Sequence, residues 1–202
     1  VVSISGTAAA SPFAIAMRSI QREAILSDPD WKGGNYPVDR PPITGMRIAR
    51  KLGTMTYRSA AEWRQRFGRD PIFKEMRRDE PFALEFAVEG YLESLAQKFV
   101  RAFDPSCYVY ISRAMDRFDL AVHGNGSHAE ALAKSGAERA LVIGVETDML
   151  FAINEQEELA QNFTQAGVKT RFARLPCIEG HDSFLIDIDR FGEEIRPFLE
   201  GA

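Results

Sequence analysis

Cysteine is nearly missing from this sequence: two in 202 residues, Cys107 and Cys177, far apart along the chain. That is neither the density of a disulfide framework nor the clustered spacing of a zinc site, so a reducing, cytoplasmic setting without a metal is expected. An excess of one charge is missing too, since 25 Lys and Arg stand against 29 Asp and Glu for a net charge of -4. Such a balance leaves no basic footprint for nucleic acid or an anionic membrane. No apolar run approaches the roughly 20 residues that span a bilayer, and there is no charged, then apolar, then small-residue leader. The glycines of "HGNGSH" lack the spacing of a phosphate-binding or dinucleotide-binding loop. Its His123 and His128 have no Cys or paired acids beside them in sequence, so a surface turn is expected there rather than a metal site. Repeats and low-complexity tracts are absent as well.

What remains is the composition of a globular protein, 45% hydrophobic and 27% charged, able to bury one sizeable core and suited to small-molecule chemistry. "VVSIS" reads as a buried strand that starts at once, as in a chain cut inside a domain, and a fragment is expected. Phe13, Ala16, Met17, Ile20 and Ala24 recur at helical spacing, with Arg18, Arg22 and Glu23 elsewhere around the axis, until "SDPDWKGGNYPVDRPP" breaks the pattern. "GMRIARKLGTMTY" predicts a second helix, and "SAAEWRQRF" a shorter one behind a serine suited to an N-cap. A charged stretch runs from Arg69 to Glu80. A long helix after Pro81 then stripes Val88, Tyr91, Leu92, Leu95, Phe99 and Phe103, and Tyr108, Ile111, Met115 and Phe118 repeat the spacing.

From about residue 139 the pattern changes. "RALVIGV" is a short continuous apolar run, "NEQEELAQNFTQAG" a helix, "VKTRFARL" a strand, and a last helix turns Ile188, Phe191, Ile195, Phe198 and Leu199 inward. A β-α-β-α order builds a parallel sheet, so the class expected is α/β. In open α/β sheets functional side chains gather on loops at the carboxyl ends of the strands. Two such loops carry acid or base groups, "ETDMLF" with Asp148 and "CIEGHDSF" with His181. Acid then histidine is the tail of the Ser, Asp, His order of α/β-hydrolase triads, whose nucleophile sits upstream on a G-x-S-x-G elbow. In that chemistry the histidine takes the nucleophile's proton while the carboxylate fixes its tautomer. The alternative is that both are turn residues.

The strings "DPDWKGGNY", "GMRIARKLGTMTYRS", "YLESLAQKFVRAFDPSCYVYISRAMDRFD", "LVIGVETDMLFAINEQEELA" and "EGHDSFL" together resemble the C-terminal part of the homoserine/serine O-acyltransferase family. The resemblance covers essentially the whole chain. It implies the C-terminal part of an α/β-hydrolase fold with a helical lid: core strand and loop over 1–11, lid over 12–122, closing β-α-β-α over 123–202. It further implies ping-pong transfer from acetyl-CoA or succinyl-CoA through a serine ester to the hydroxyl of L-homoserine or L-serine, with no bound cofactor. By the same resemblance Asp148 is the triad acid and His181 the base. Arg50 and Tyr57, seven positions apart and so on one face of a continuous helix, contact the acceptor, and Asp182 receives its amino group. The family's elbow serine is not in this sequence, so the N-terminal half of the same domain is an expected partner, with a homodimer when complete. "GVETDMLFAINEQEELA" leans toward the serine-acylating members. An esterase on the same fold and a non-catalytic interaction fragment are the other readings.

Overall fold

The structure is a computed structural model that describes residues 1–72 and 82–201. The chain divides into two compact units: Val1–Ala14, Thr56–Ser59 and Arg117–Ala202 form the first, Ile15–Met55 and Ala60–Asp116 the second.

The first unit is built on a parallel three-stranded sheet in the order β1 (Val2–Ile4), β2 (Arg139–Val145), β3 (Lys169–Leu175). β2 is central among these and buried on both faces, which is why it reads as an unbroken apolar run. Its side chains alternate between two cores. Ala140 and Val142 pack with Ala8, Leu132, Leu159, Phe163 and Val168, whereas Leu141, Ile143 and Val145 pack with Ala173, Leu175 and Phe191. β3 keeps Lys169, Arg171 and Arg174 in solvent and buries Ala173 and Leu175. Its Arg171 pairs with Glu194 and its Arg174 with Glu157 at 3.0 Å. The expected β-α-β-α order is therefore present.

The second unit is helical, with α1 (Pro12–Leu26), α2 (Ile43–Thr56), α3 (Ala60–Phe67), α4 (Ala87–Val100) and α5 (Pro105–Asp116). α1 starts within the first unit and continues into the second. Three further helices belong to the first unit: α6 (His128–Ala133), α7 (Ile153–Gln165) and α8 (Ile188–Glu200). The core of the second unit centres on Ile25, Met46 and Ala49, against Trp31, Phe99, Phe103 and Tyr108. α2 approaches α1 so closely that a Cβ on Gly45 would lie 2.1 Å from the Ala24 carbonyl oxygen. Most of the charged stretch from Arg69 to Glu80, and Pro81, lie outside the described residues.

Two helices bury a different face from the one their apolar spacing predicts. On α1, Phe13 and Ile20 are half exposed, while Ala14, Arg18, Gln21, Arg22 and Ile25 are buried. On α5, Ile111 and Met115 are exposed, as is Phe118 beyond its end, while Ser112 is buried. The physical reason is ionic. Asp116 Oδ1 accepts from Arg18 Nε at 2.6 Å and its Oδ2 forms an ion pair with Arg22 Nη2 at 2.6 Å, while Arg22 Nη1 donates to the Ser112 hydroxyl at 3.3 Å. Tyr108 donates to Gln21 Oε1 at 2.8 Å. Paired and hydrogen-bonded charges can be buried where single ones cannot. The last helix departs in a smaller way: Phe191 is buried, but Ile188 and Leu199 are exposed.

Candidate active site

β2 and β3 end side by side, Val145 opposite Leu175, so the loops that follow them start at the same height. The first loop turns at once on Asp148, whose Oδ1 accepts from the backbone N–H of Leu150 (2.9 Å) and Phe151 (3.0 Å). An Asp that caps its own turn in this way has one oxygen fixed and the other aimed outward. That second oxygen, Oδ2, lies 2.9 Å from Nδ1 of His181. The Asp148 side chain is fully buried and the His181 side chain 18% exposed.

A buried carboxylate accepts, so Nδ1 of His181 carries the proton and Nε2 the lone pair. Phe151 meets the imidazole edge-on at 5.2 Å between centroids, Tyr57 lies at 5.9 Å and Phe184 at 6.3 Å. This aromatic collar leaves the ring little room to turn. The arrangement can hold one imidazole in one tautomer and stabilise it when it gains a proton.

His181 is the second residue of a 3-10 helix, Gly180–Leu185. The chain segment Thr56–Ser59 returns from α2 to lie against this turn. Asp182 N–H donates to the Tyr57 carbonyl at 3.2 Å, and the Ser59 hydroxyl donates to the Ile178 carbonyl. Gly180 has φ +79°, and a Cβ there would lie 2.8 Å from Ser59 N and 3.0 Å from the Tyr57 carbonyl oxygen. Only glycine suits both demands. Arg58 Nη2 lies 3.6 Å from Asp182 Oδ2.

Of the residues singled out in the sequence, Asp148, His181, Tyr57 and Asp182 come together in the first unit. Arg50 lies in the second unit, on α2, with its guanidinium 4.4 Å over the Phe99 ring. α2 ends at Thr56, so Tyr57 stands just past the helix rather than on one continuous face with Arg50. His128 of "HGNGSH" does have an acid partner: Asp119 Oδ1, at 2.9 Å from its Nε2, also accepts from Ala121 N–H and caps a 3-10 turn. Among the described residues no group of three or more His, Cys, Asp or Glu is placed to hold a metal ion, and no helix is long and apolar enough to cross a membrane. Cys177 is buried beside the histidine turn, and burial pushes its thiol pKa up, away from nucleophilic use.

Sequence reasoning missed three side chains here. Thr147 sits beside Asp148, and its hydroxyl donates to the Cys177 carbonyl at 2.7 Å and accepts from Gly180 N–H at 3.2 Å. Gln156, fully buried on α7, donates to the Phe151 carbonyl at 2.6 Å, with Asp148 Oδ2 at 3.5 Å from the same nitrogen. Arg58 is the third. Only Thr147 left a sequence signal, as a hydroxyl at a strand end next to the acid.

No family model matches the chain. Over 98% of its length it is similar to the serine O-succinyltransferases of Stenotrophomonas maltophilia (strain K279a), 52% identical, and Xylella fastidiosa (strain M12), 50% identical. The chain spans about half the length of these curated relatives, 54% in each case. Among solved structures, homoserine O-acetyltransferase from Bacillus anthracis matches 98% of the chain with 52% of its own length, at a TM-score of 0.85 and 23% identity. Esterase E22 matches 98% of the chain with 53% of its own length, at a TM-score of 0.83 and 20% identity. At such identities the structural likeness speaks for the fold, and the α/β-hydrolase fold expected from the sequence is borne out. The expected resemblance to the homoserine/serine O-acyltransferases is borne out as well.

Proposed function

We propose that the protein carrying this sequence transfers an acyl group from an acyl-CoA to the hydroxyl of L-serine, with succinyl-CoA as the donor. The observation that carries the reading is the bond between buried Asp148 and His181 Nδ1, because it leaves Nε2 as a base at the carboxyl end of the sheet. The names of the relatives that are 50–52% identical support serine over homoserine and succinyl over acetyl.

In this reading a serine supplied by polypeptide beyond this sequence gives its proton to His181 Nε2 and attacks the thioester carbonyl. The C–S bond breaks, and CoA leaves as the thiol with that proton. The acceptor's hydroxyl then gives its proton to Nε2 and attacks the ester, and the proton returns to the enzyme serine as the new ester departs. Asp148 stabilises the imidazolium in both halves. Asp182 receives the acceptor's ammonium in exchange for Arg58, and Tyr57 lines the same place. A homodimer belongs to the proposal as well. α5 presents Tyr110, Ile111 and Met115 to solvent, and Met115→Glu should shift the sedimenting species toward monomer.

The structural likeness to an esterase favours one competing reading, ester hydrolysis. A polypeptide spanning the full length of the relatives, given succinyl-CoA and L-serine, should release CoA and form O-succinylserine detectable by mass spectrometry. Acetyl-CoA or L-homoserine should serve at least tenfold less well. Hydrolysis of simple esters without transfer to any amino acid would replace the proposal by the esterase reading.

A further inference from the structure

The hydroxyls of Thr147 and Ser59 take part in no step above, yet both end on the turn that carries His181. The Thr147 hydroxyl has two partners in that turn: it donates to the Cys177 carbonyl and accepts from Gly180 N–H, closing a ring across the residues that lead up to the histidine. Thr147 is covalently next to Asp148, so the same residue ties the base's turn to the acid's loop. On the other side the Ser59 hydroxyl donates to the Ile178 carbonyl, and Gly180 is pressed flush against the Tyr57–Ser59 backbone. The turn is thus pinned at Cys177 and Gly180 from one side and at Ile178 from the other.

From this geometry we infer that Thr147 and Ser59 are positioning residues that hold His181 in register with Asp148. A 2.9 Å contact between a carboxylate on one loop and an imidazole on another is easily lost, because each loop could shift independently by more than the tolerance of a hydrogen bond. The Thr147 bridge removes that freedom. Both hydroxyls are engaged by backbone groups of the turn, so the expected consequence falls on turnover and leaves acceptor affinity alone. The inference rests on the acyl-transfer reading for its kinetic consequence and not for its structural one.

The test uses Thr147→Val, which keeps the shape and loses the hydroxyl, and Thr147→Ser, which keeps the hydroxyl and loses the methyl group. In a polypeptide of the relatives' full length, Thr147→Val should lower kcat roughly 10- to 100-fold with KM for the amino acid unchanged, as small misplacements of a catalytic group do. Thr147→Ser should restore turnover to within about threefold of the parent. The reverse order, Val active and Ser impaired, would mean that packing matters and would overturn the inference. A second readout needs no substrate: the His181 Nδ1–H proton, bonded to a buried carboxylate, should give a far-downfield NMR resonance that broadens or vanishes in Thr147→Val and returns in Thr147→Ser. A parent that fails to transfer acyl groups while the resonance behaves as stated defeats the functional reading alone. An unchanged resonance in Thr147→Val defeats the positioning role. Should Thr147→Val not fold, Ser59→Ala carries the same two readouts, and an unchanged resonance and turnover there overturn the inference.

Discussion

Replacing Asp148 by Asn tests whether the acid works through its charge and its orientation together. The carboxylate is fully buried, with two backbone N–H groups on Oδ1 and the imidazole on Oδ2. An Asn side chain has one accepting oxygen and one donating nitrogen, so its placement is decided by the stronger demand. Turning the NH2 toward Leu150 and Phe151 would leave two N–H groups unpaired, the buried one of Leu150 at about 1–3 kcal/mol and the half-buried one of Phe151 at less. The oxygen therefore stays on those amides, and the NH2 faces Nδ1. Nδ1 then has to accept, the proton moves to Nε2, and the lone pair that takes the nucleophile's proton is gone. Gln156, whose amide nitrogen lies 3.5 Å from Oδ2, would face a second donor there. In a serine protease the same change costs about 10⁴ in turnover, and 10⁴ corresponds to about 5.4 kcal/mol at 1.36 kcal/mol per decade. A drop of that order is expected here, read as the pre-steady-state rate of CoA release with the full-length polypeptide. A loss of less than tenfold, with the fold intact by circular dichroism, would refute the tautomer argument.

Three further outcomes follow from the geometry. Gly180→Ala should cost about 1–3 kcal/mol from its left-handed backbone alone, lower Tm by roughly 2–4 °C for each kcal/mol, and lower turnover, because its Cβ would meet Ser59 and Tyr57 backbone atoms; an unchanged Tm would contradict the contact. Asp116→Ala leaves Arg18 and Arg22 buried without their carboxylate and should destabilise by about 3–5 kcal/mol, measurable as a lower urea midpoint, and an unchanged midpoint would mean that the pair is not buried in solution. Hydrogen bonds from Arg47, then from Lys51, hold the Glu93 carboxyl at about 2. A depressed carboxyl stabilises the fold above its unfolded pKa of roughly 4.3, and that contribution fades as pH falls from there toward about 2. Thermal melts at pH 5 and pH 3 should therefore differ less in Glu93→Gln than in the parent, and equal differences would remove Glu93 from the acid response.

How much of this was legible in the sequence depends on the range of each interaction. The strand at β2 was readable because burial on both faces demands residues without polar side chains, and Ala140 to Val145 of its run "RALVIGV" meet that demand behind the half-buried Arg139. The helices were readable as helices, but the faces of α1 and α5 were not. Hydropathy spacing assigns a buried face only when the core is apolar, and here it holds Arg18, Arg22, Ser112 and Asp116. The arginines and Asp116 are some ninety residues apart in sequence, as the separation of 98 between Arg18 and Asp116 shows, and no local pattern announces that pairing.

The candidate site divides along the same line. Asp148 and His181 follow neighbouring parallel strands whose last paired residues, Val145 and Leu175, stand opposite one another, so topology alone brings the two loops together. A reader who places the strands has placed the pair. The return of Thr56–Ser59 to the histidine turn has no such rule behind it, since it joins Ser59 to Ile178, 119 positions away, and Tyr57 to Asp182. Yet the sequence is not silent even there: Gly180 has to be glycine because that segment lies against it, and an isolated glycine one residue before a candidate base is the trace of a backbone passing close by. The glycine in "EGHDSF" is thus informative about a neighbour as well as about a turn. At such a position the side chain that is missing measures how near the next segment comes.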